Sequence, residues 1–307
     1  MLKLMLKGVL LLSMVATGQV WITHQSGTHL AAHFDAILQG EPDVFFFGDS
    51  TIGCCDPLDT DRRPTTTMLD TALDQRSIGA FANPAYHAEI YELFFNRLLA
   101  GNYRPQLVVV PVNLRSMSPI WDCDPAAQVE TVQQTLEFEK SVWRRAFAPL
   151  ARTLGAGLTP AITRQEYMNQ PVYRGEAIVG RVSDFRNGSV DQQLVLNYMY
   201  SLNERHRKVA ALRRIAVAAE VRNLPVLFYV TPVDYQSATD ELRHALVAQI
   251  SQNVDTLRST LAGSGAEFLD LSLELGSQGF TYDRRVNEHL KSQGRILVSQ
   301  RLAEQIR

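Results

Sequence analysis

Five short apolar runs punctuate the chain, at residues 44–47, 77–81, 107–112, 226–230 and 267–271. None has the three-to-four-residue spacing of an amphipathic helix, and their β-branched and aromatic content reads as strands buried on both faces. Between several of them the spacing becomes helical. Residues 88–100 are amphipathic and lead through Gly101 to Pro105 into the third run. Residues 203–222 set Val209, Leu212, Ile215, Val217 and Ala218 against a basic face, and 240–261 repeat that arrangement before Gly263 and Gly265. Strands alternating with crossover helices predict a doubly wound α/β domain, a parallel sheet covered on both faces.

Residues 121–202 interrupt the alternation, with helical spacing at 126–150 and a part punctuated by Gly and Pro after it. A break of that length between core strands exceeds an ordinary loop, so it is predicted as a largely helical insertion overhanging the strand ends. There it serves as a lid or substrate-binding wall, or merely decorates the fold.

The first residues read differently. Lys3 and Lys7 precede an apolar stretch at 8–22, so residues 1–24 look like a signal peptide or an N-terminal membrane anchor. The stretch falls short of the ~20 residues that span a bilayer unless 2–22 is counted whole with both lysines snorkelling. Ala16, Thr17 and Gly18 offer a cleavage site, but no clean A-x-A triplet is present, which favours the anchor. An amphipathic first helix of a cytoplasmic protein is the competing reading. An exported protein would lie at the cell envelope, on the periplasmic or extracytoplasmic side.

The chain has 307 residues, 46% hydrophobic and 20% charged, enough for one large domain over 40–307. A formal net charge of -2 without a dense basic block argues against nucleic-acid binding. Cys54, Cys55 and Cys123 permit one cystine from Cys123 to either neighbour, or three small buried side chains. No paired C-x-x-C or H-x-x-x-H spacing points to a metal, and no cofactor is expected.

Candidate chemistry begins where the first run ends, at Gly48, Asp49 and Ser50. Ligands of α/β folds sit outside the carboxyl ends of the strands, and a glycine there lets the chain turn and expose the next side chain. A serine nucleophile requires a base. Of seven histidines, His24, His29 and His33 follow the apolar N-terminus and His206 and His244 lie on polar faces of predicted helices. That leaves His87 and His289. His289 opens a loop and final amphipathic helix that return to the edge carrying Ser50, so it is the better base. Asn113 closes the run LVVVPVN and is either a turn residue or a side-chain donor to a developing oxyanion.

With Gly48-Asp49-Ser50, then Asn113, then His289 followed five residues later by Gly294, the chain over 43–306 resembles the SGNH (GDSL-type) hydrolase superfamily. The resemblance implies a flavodoxin-like sheet, Ser50 as nucleophile, His289 as base, and an oxyanion hole from the Ser50 amide and the Asn113 side chain. The family's second-block glycine falls near Ala85, whose amide serves provided its backbone angles suit a residue with Cβ. The usual aspartate three residues before the histidine is Val286 here. Asp283 is taken as the orienting acid, because Glu288, next to His289 on an extended segment, should point away. A Ser50–His289 dyad steadied by a backbone carbonyl is the alternative.

Residues 83–91 and 111–125 resemble an exported subgroup found with membrane-bound O-acyltransferases in polysaccharide modification. That narrower likeness puts Asp49, His87, Arg115 and Ser116 around the pocket. Arg115 would hold a carboxylate or sugar hydroxyls, or else pair with Asp122 or Asp124; His87 would line the mouth or merely start a helix. The implied function is esterase or acetyltransferase chemistry on O-acyl, chiefly O-acetyl, groups of an envelope or exported polysaccharide. An acylated carbohydrate would be the substrate and a membrane-bound O-acyltransferase a partner. The alternatives are a catalytically reduced glycan-binding or docking protein, which Val286 favours, and a general lipid esterase or thioesterase.

Overall fold

Strands β1 (Val44–Gly48), β2 (Ile78–Ala82), β3 (Leu107–Val112), β4 (Pro171–Arg174), β5 (Ala177–Arg181), β6 (Val226–Val230) and β7 (Glu267–Asp270) form two sheets in the computed structural model. The larger has the order β2-β1-β3-β6-β7 with every pair parallel, and β4 and β5 make a separate antiparallel hairpin. That strand order is the flavodoxin-like one, in which the chain reverses direction across the sheet between β1 and β3. The structure describes residues 30–53, 56–74, 76–122, 163–281, 286 and 288–307, with single positions at 129, 132, 133 and 136.

Helices cover both faces: α1 (residues 30–39), α2 (Thr65–Leu73), α3 (Ala88–Ala100), α4 (Pro119–Asp122), α5 (Arg164–Met168), α6 (Val182–Phe185), α7 (Val190–Tyr198), α8 (Arg207–Val221), α9 (Asp240–Leu261) and α10 (Ser292–Ile306). Successive strand residues point to opposite faces, so each apolar run feeds two cores. Phe45, Phe47, Val108, Val110 and Phe228 pack with Phe34, Phe94, Leu212 and Leu246 of α1, α3, α8 and α9. Val44, Phe46, Val109, Leu227 and Tyr229 pack with Leu69 of α2 and Val298 and Leu302 of α10.

One expectation is corrected. Gly48 is not itself the turn and the next side chain, Asp49, is buried; the glycine remains in β1, where a Cβ would stand 2.8 Å from Ile52 Cδ1 and 3.0 Å from the Ala82 Cβ. Close packing between strand end and turn is what selects glycine there. The described part of the insertion is largely helical, with α5, α6 and α7, and adds the β4–β5 hairpin between α5 and α6.

The described residues of the insertion share the main core: Tyr167, Val172, Val182 and Leu194 join the larger sheet's α8/α9 face. Its exit is tied to the turn after β3. The Ser118 hydroxyl donates to the Leu196 carbonyl at 2.8 Å, the Tyr200 hydroxyl donates to the Leu114 carbonyl, and Asn253 of α9 donates to the Tyr200 carbonyl at 2.8 Å. The predicted helix at 126–150, apart from helical positions 129, 132, 133 and 136, lies outside the described residues, as do the segment 1–24 and the three cysteines. Among the described residues, no helix is long and apolar enough to cross a membrane.

Candidate active site

The site is built at the carboxyl ends of β1 and β3, which are neighbours in the sheet. Asp49 leaves β1 in an extended conformation and caps a one-turn 3-10 helix, Ser50–Ile52, its Oδ1 accepting from the Thr51 amide at 2.7 Å. Ser50 is therefore the first residue of a capped turn and partly exposed. Asn113 repeats the device after β3, its Oδ1 accepting from the Ser116 amide at 3.3 Å while its Nδ2 donates to Asp49 Oδ2 at 3.2 Å. One carboxylate thus joins both turns. Burial pushes the Asp49 carboxyl above its ordinary range, against the pull of the Thr51 and Asn113 hydrogen bonds and of nearby His289.

Ala85 follows β2 with φ of 64°. The left-handed region costs a residue with Cβ roughly 1–2 kcal/mol, which explains why glycine is expected at this position.

His289 sits on a segment pinned from both sides. Its carbonyl accepts from the Thr281 amide at 2.9 Å, and the Lys291 amide donates to the Gly279 carbonyl at 2.8 Å. Gly294, in the first turn of α10, is needed because a Cβ there would meet that same carbonyl at 2.6 Å. Beneath it the fully buried Arg295 donates to the carbonyls of Leu290 (2.6 Å), Arg63 (2.9 Å) and Asp61, and pairs with buried Asp59 at 3.2 Å.

Glu288 is buried as well, 2% exposed, and its Oε1 accepts from the Tyr198 hydroxyl of α7 at 2.6 Å. Burial pushes its carboxyl up to about 7, opposed by the Arg115 guanidinium and the Tyr198 and Asn113 hydrogen bonds, and aided by the Asp49 charge. Arg115 lies 5.4 Å over the Trp121 ring. The alternative pairing of Arg115 with Asp122 or Asp124 falls on side chains outside the described residues.

One small pocket brings Ser50, Ala85, Asn113 and His289 together, with Asp49, Arg115 and Ser116 in its walls. Its lining adds Thr51, Tyr86, Trp121 and Glu288, which the sequence reading did not place there. His87 is buried at the start of α3 and is not among the lining residues, and Asp283 lies outside the described residues. Among the described residues, no group of three or more His, Cys, Asp or Glu is arranged to hold a metal ion. A hydroxyl, an imidazole and a carboxamide around one small pocket are the groups that acyl transfer needs.

No protein-family model and no curated protein matches the chain. Similar solved structures include an acetylxylan esterase from Geobacillus stearothermophilus, 12% identical with a TM-score of 0.42, covering 86% of this chain and 94% of that one. A GDSL-like lipase from Bacteroides thetaiotaomicron is 10% identical with a TM-score of 0.43, covering 92% and 97%. An alpha/beta hydrolase enzyme from the metagenome of Lake Arreo, Spain, is 12% identical with a TM-score of 0.41, covering 85% and 93%.

Proposed function

We propose that the protein is a serine ester hydrolase acting on O-acyl groups, O-acetyl above all, of a carbohydrate at the cell envelope. The observation that carries this reading is the shared pocket of Ser50, His289 and Asn113 at the carboxyl edge of the sheet. His289 removes the Ser50 proton as Oγ attacks the ester carbonyl, and the tetrahedral oxyanion is held by the Ser50 and Ala85 amides and the Asn113 carboxamide. Collapse expels the alcohol, which takes its proton from the imidazolium. Water then resolves the acyl-enzyme, or a sugar hydroxyl does so in an acetyltransferase. Asp283 orients the base, and the buried Asp49 charge adds to the stabilisation of the imidazolium.

The small pocket suits a short acyl group, and the Trp121 ring in its wall offers a face to a sugar. The segment 1–24 supplies the envelope location, where a membrane-bound O-acyltransferase would be a partner. Labelling with a fluorophosphonate probe tests the reading: Ser50 is modified in the native chain, and Ser50→Ala and His289→Ala abolish labelling. Ser50→Ala lowers ester turnover by about a thousandfold or more. A folded chain that is neither labelled nor hydrolytic is a binding protein instead. Acetyl transfer to an added oligosaccharide, against release of free acetate, separates transferase from hydrolase.

A further inference from the structure

Arg115 lines the pocket but takes no part in the steps above. It lies two residues beyond Asn113, in the short 3-10 helix Leu114–Met117 that follows β3. That turn is held firmly: the Ser116 hydroxyl donates to the Asn113 carbonyl at 2.7 Å, the Ser118 amide to the Arg115 carbonyl at 3.2 Å, and the Tyr200 hydroxyl to the Leu114 carbonyl. The guanidinium is set over the Trp121 ring at 5.4 Å. An arginine stacks through its face and hydrogen-bonds through its edge, so the ring leaves the edge unused. Its Nε is shut away from water with no acceptor, and among the described residues its side chain makes no hydrogen bond. The acids of the same pocket have other partners. Glu288 feels the Arg115 charge, but its Oε1 accepts from Tyr198; Asp49 accepts from the Thr51 amide on one oxygen and from Asn113 on the other. Burial raises both carboxyls, which lessens the negative charge they set against a guest. A desolvated cation without an acceptor is costly, and a planar anion that spans its edge supplies what is missing.

We propose that Arg115 determines specificity by holding a carboxylate of the substrate, so that the acyl group removed at Ser50 is carried by an acidic sugar of the uronic acid class. The inference rests on the ester-hydrolase reading and narrows its substrate. A carboxylate meets the guanidinium edge with two parallel N–H···O bonds, which a single sugar hydroxyl does not. Because Arg115 and Asn113 share one fixed turn, the acid and the ester carbonyl are bound a short way apart, as on one sugar ring. A neutral acetylated sugar keeps the ester chemistry and loses this second anchor.

The test is release of acetate at neutral pH by the full chain from O-acetylated methyl glycosides of glucuronic, galacturonic and mannuronic acid, each beside its neutral uronamide. Acid and amide have nearly the same shape, so the ratio of their kcat/KM values isolates the charge. In the native chain at least one acid should exceed its amide by about tenfold to a hundredfold, the range of a hydrogen-bonded charge. In Arg115→Gln that ratio should fall to about one, a comparison made within the variant and so independent of its overall activity. Arg115→Lys keeps the charge and loses the planar fork, and its ratio should fall between the two. A native ratio near one for all three sugars, or a ratio undiminished in Arg115→Gln, overturns the proposal. If Arg115→Gln does not fold, an undiminished ratio in Arg115→Lys overturns it equally. Absence of both Ser50 labelling and acetate release overturns the ester-hydrolase reading itself. Equal turnover of acid and amide, or labelling without release from any of the acids, overturns this inference alone.

Discussion

Arg295→Met should be among the costliest substitutions away from the pocket. Methionine keeps much of the side chain's length and removes every donor. Arg295 is fully buried, and Asp59, its ion-pair partner at 3.2 Å, has a side chain only 5% exposed. Breaking such a pair costs about 3–5 kcal/mol, because the remaining charge stays buried. The lower end applies, since exposed residues such as Pro57, Leu58 and Arg62 flank Asp59 and this loop can open to water. The Asp61 and Arg63 carbonyls rehydrate with it, but Leu290 is only 3% exposed and its orphaned carbonyl adds about 1 kcal/mol. The total is about 4 kcal/mol, a large share of the 5–15 kcal/mol typical of a domain. At roughly 2 °C per kcal/mol for a chain of this size, thermal unfolding followed by circular dichroism should move down by about 8 °C. The double variant Asp59→Asn/Arg295→Met should lose less than the two single losses combined, by about 1 kcal/mol or more. Burial would raise the Asp59 carboxyl, but the Ser292 hydrogen bonds and the Arg295 charge outweigh it and hold it below its ordinary value. A depressed carboxylate contributes stability above its unfolded pKa and loses it as pH falls through the folded one. The gap between native chain and variant should therefore narrow only below about pH 4. A loss under about 1 kcal/mol at neutral pH would refute the clamp.

Glu288 makes the opposite linkage prediction. Its carboxyl is raised from 4.5 to about 7, so ionising it costs the folded state; the stability is complete below the unfolded value and declines as pH rises from about 4.5 to 7. Glu288→Gln should gain about 3 kcal/mol on the native chain between about pH 4 and pH 8 by urea unfolding, and a constant difference would contradict the raised acid. Ala85→Gly should relieve the left-handed strain and stabilise by about 1 kcal/mol, with the rate of Ser50 labelling retained; a loss of that size would mean the alanine methyl is needed for packing.

The strands were the most legible part of the fold because both their faces are buried, so the apolar runs at 44–47, 107–112 and 226–230 have no polar interruption. They match β1, β3 and β6 to within a residue. Helix α2 went unmarked: its sequence TTTMLDTAL is rich in threonine, a weak helix former, and its stability comes from packing Leu69 under the sheet. The hairpin left a signal that was passed over, with Val172 and Tyr173 and then Ile178 and Val179 flanking Gly175, whose φ is 60°. Ser50, Asn113 and His289 were readable because each sits at or just beyond an element whose boundary was readable. Glu288 was not. Alternation on an extended segment says that neighbours point apart, but a pocket wall that wraps around the segment takes both residues, and the partners that make the burial tolerable, Tyr198 and Arg115, come from far along the chain.

The joints of the site differ in kind, and this bears on how its parts move. Asp49 accepts from the turn that carries Ser50 and from the carboxamide of Asn113, so these two residues, at the ends of adjacent strands, are fixed to one buried carboxylate. His289 is held by other means, through backbone contacts to 279–281, the Arg295 clamp below and the Glu288–Tyr198 bond to the insertion. The insertion touches both joints: it meets Glu288 through Tyr198, and the bonds Ser118–Leu196 and Tyr200–Leu114 tie it to the turn that carries Asn113.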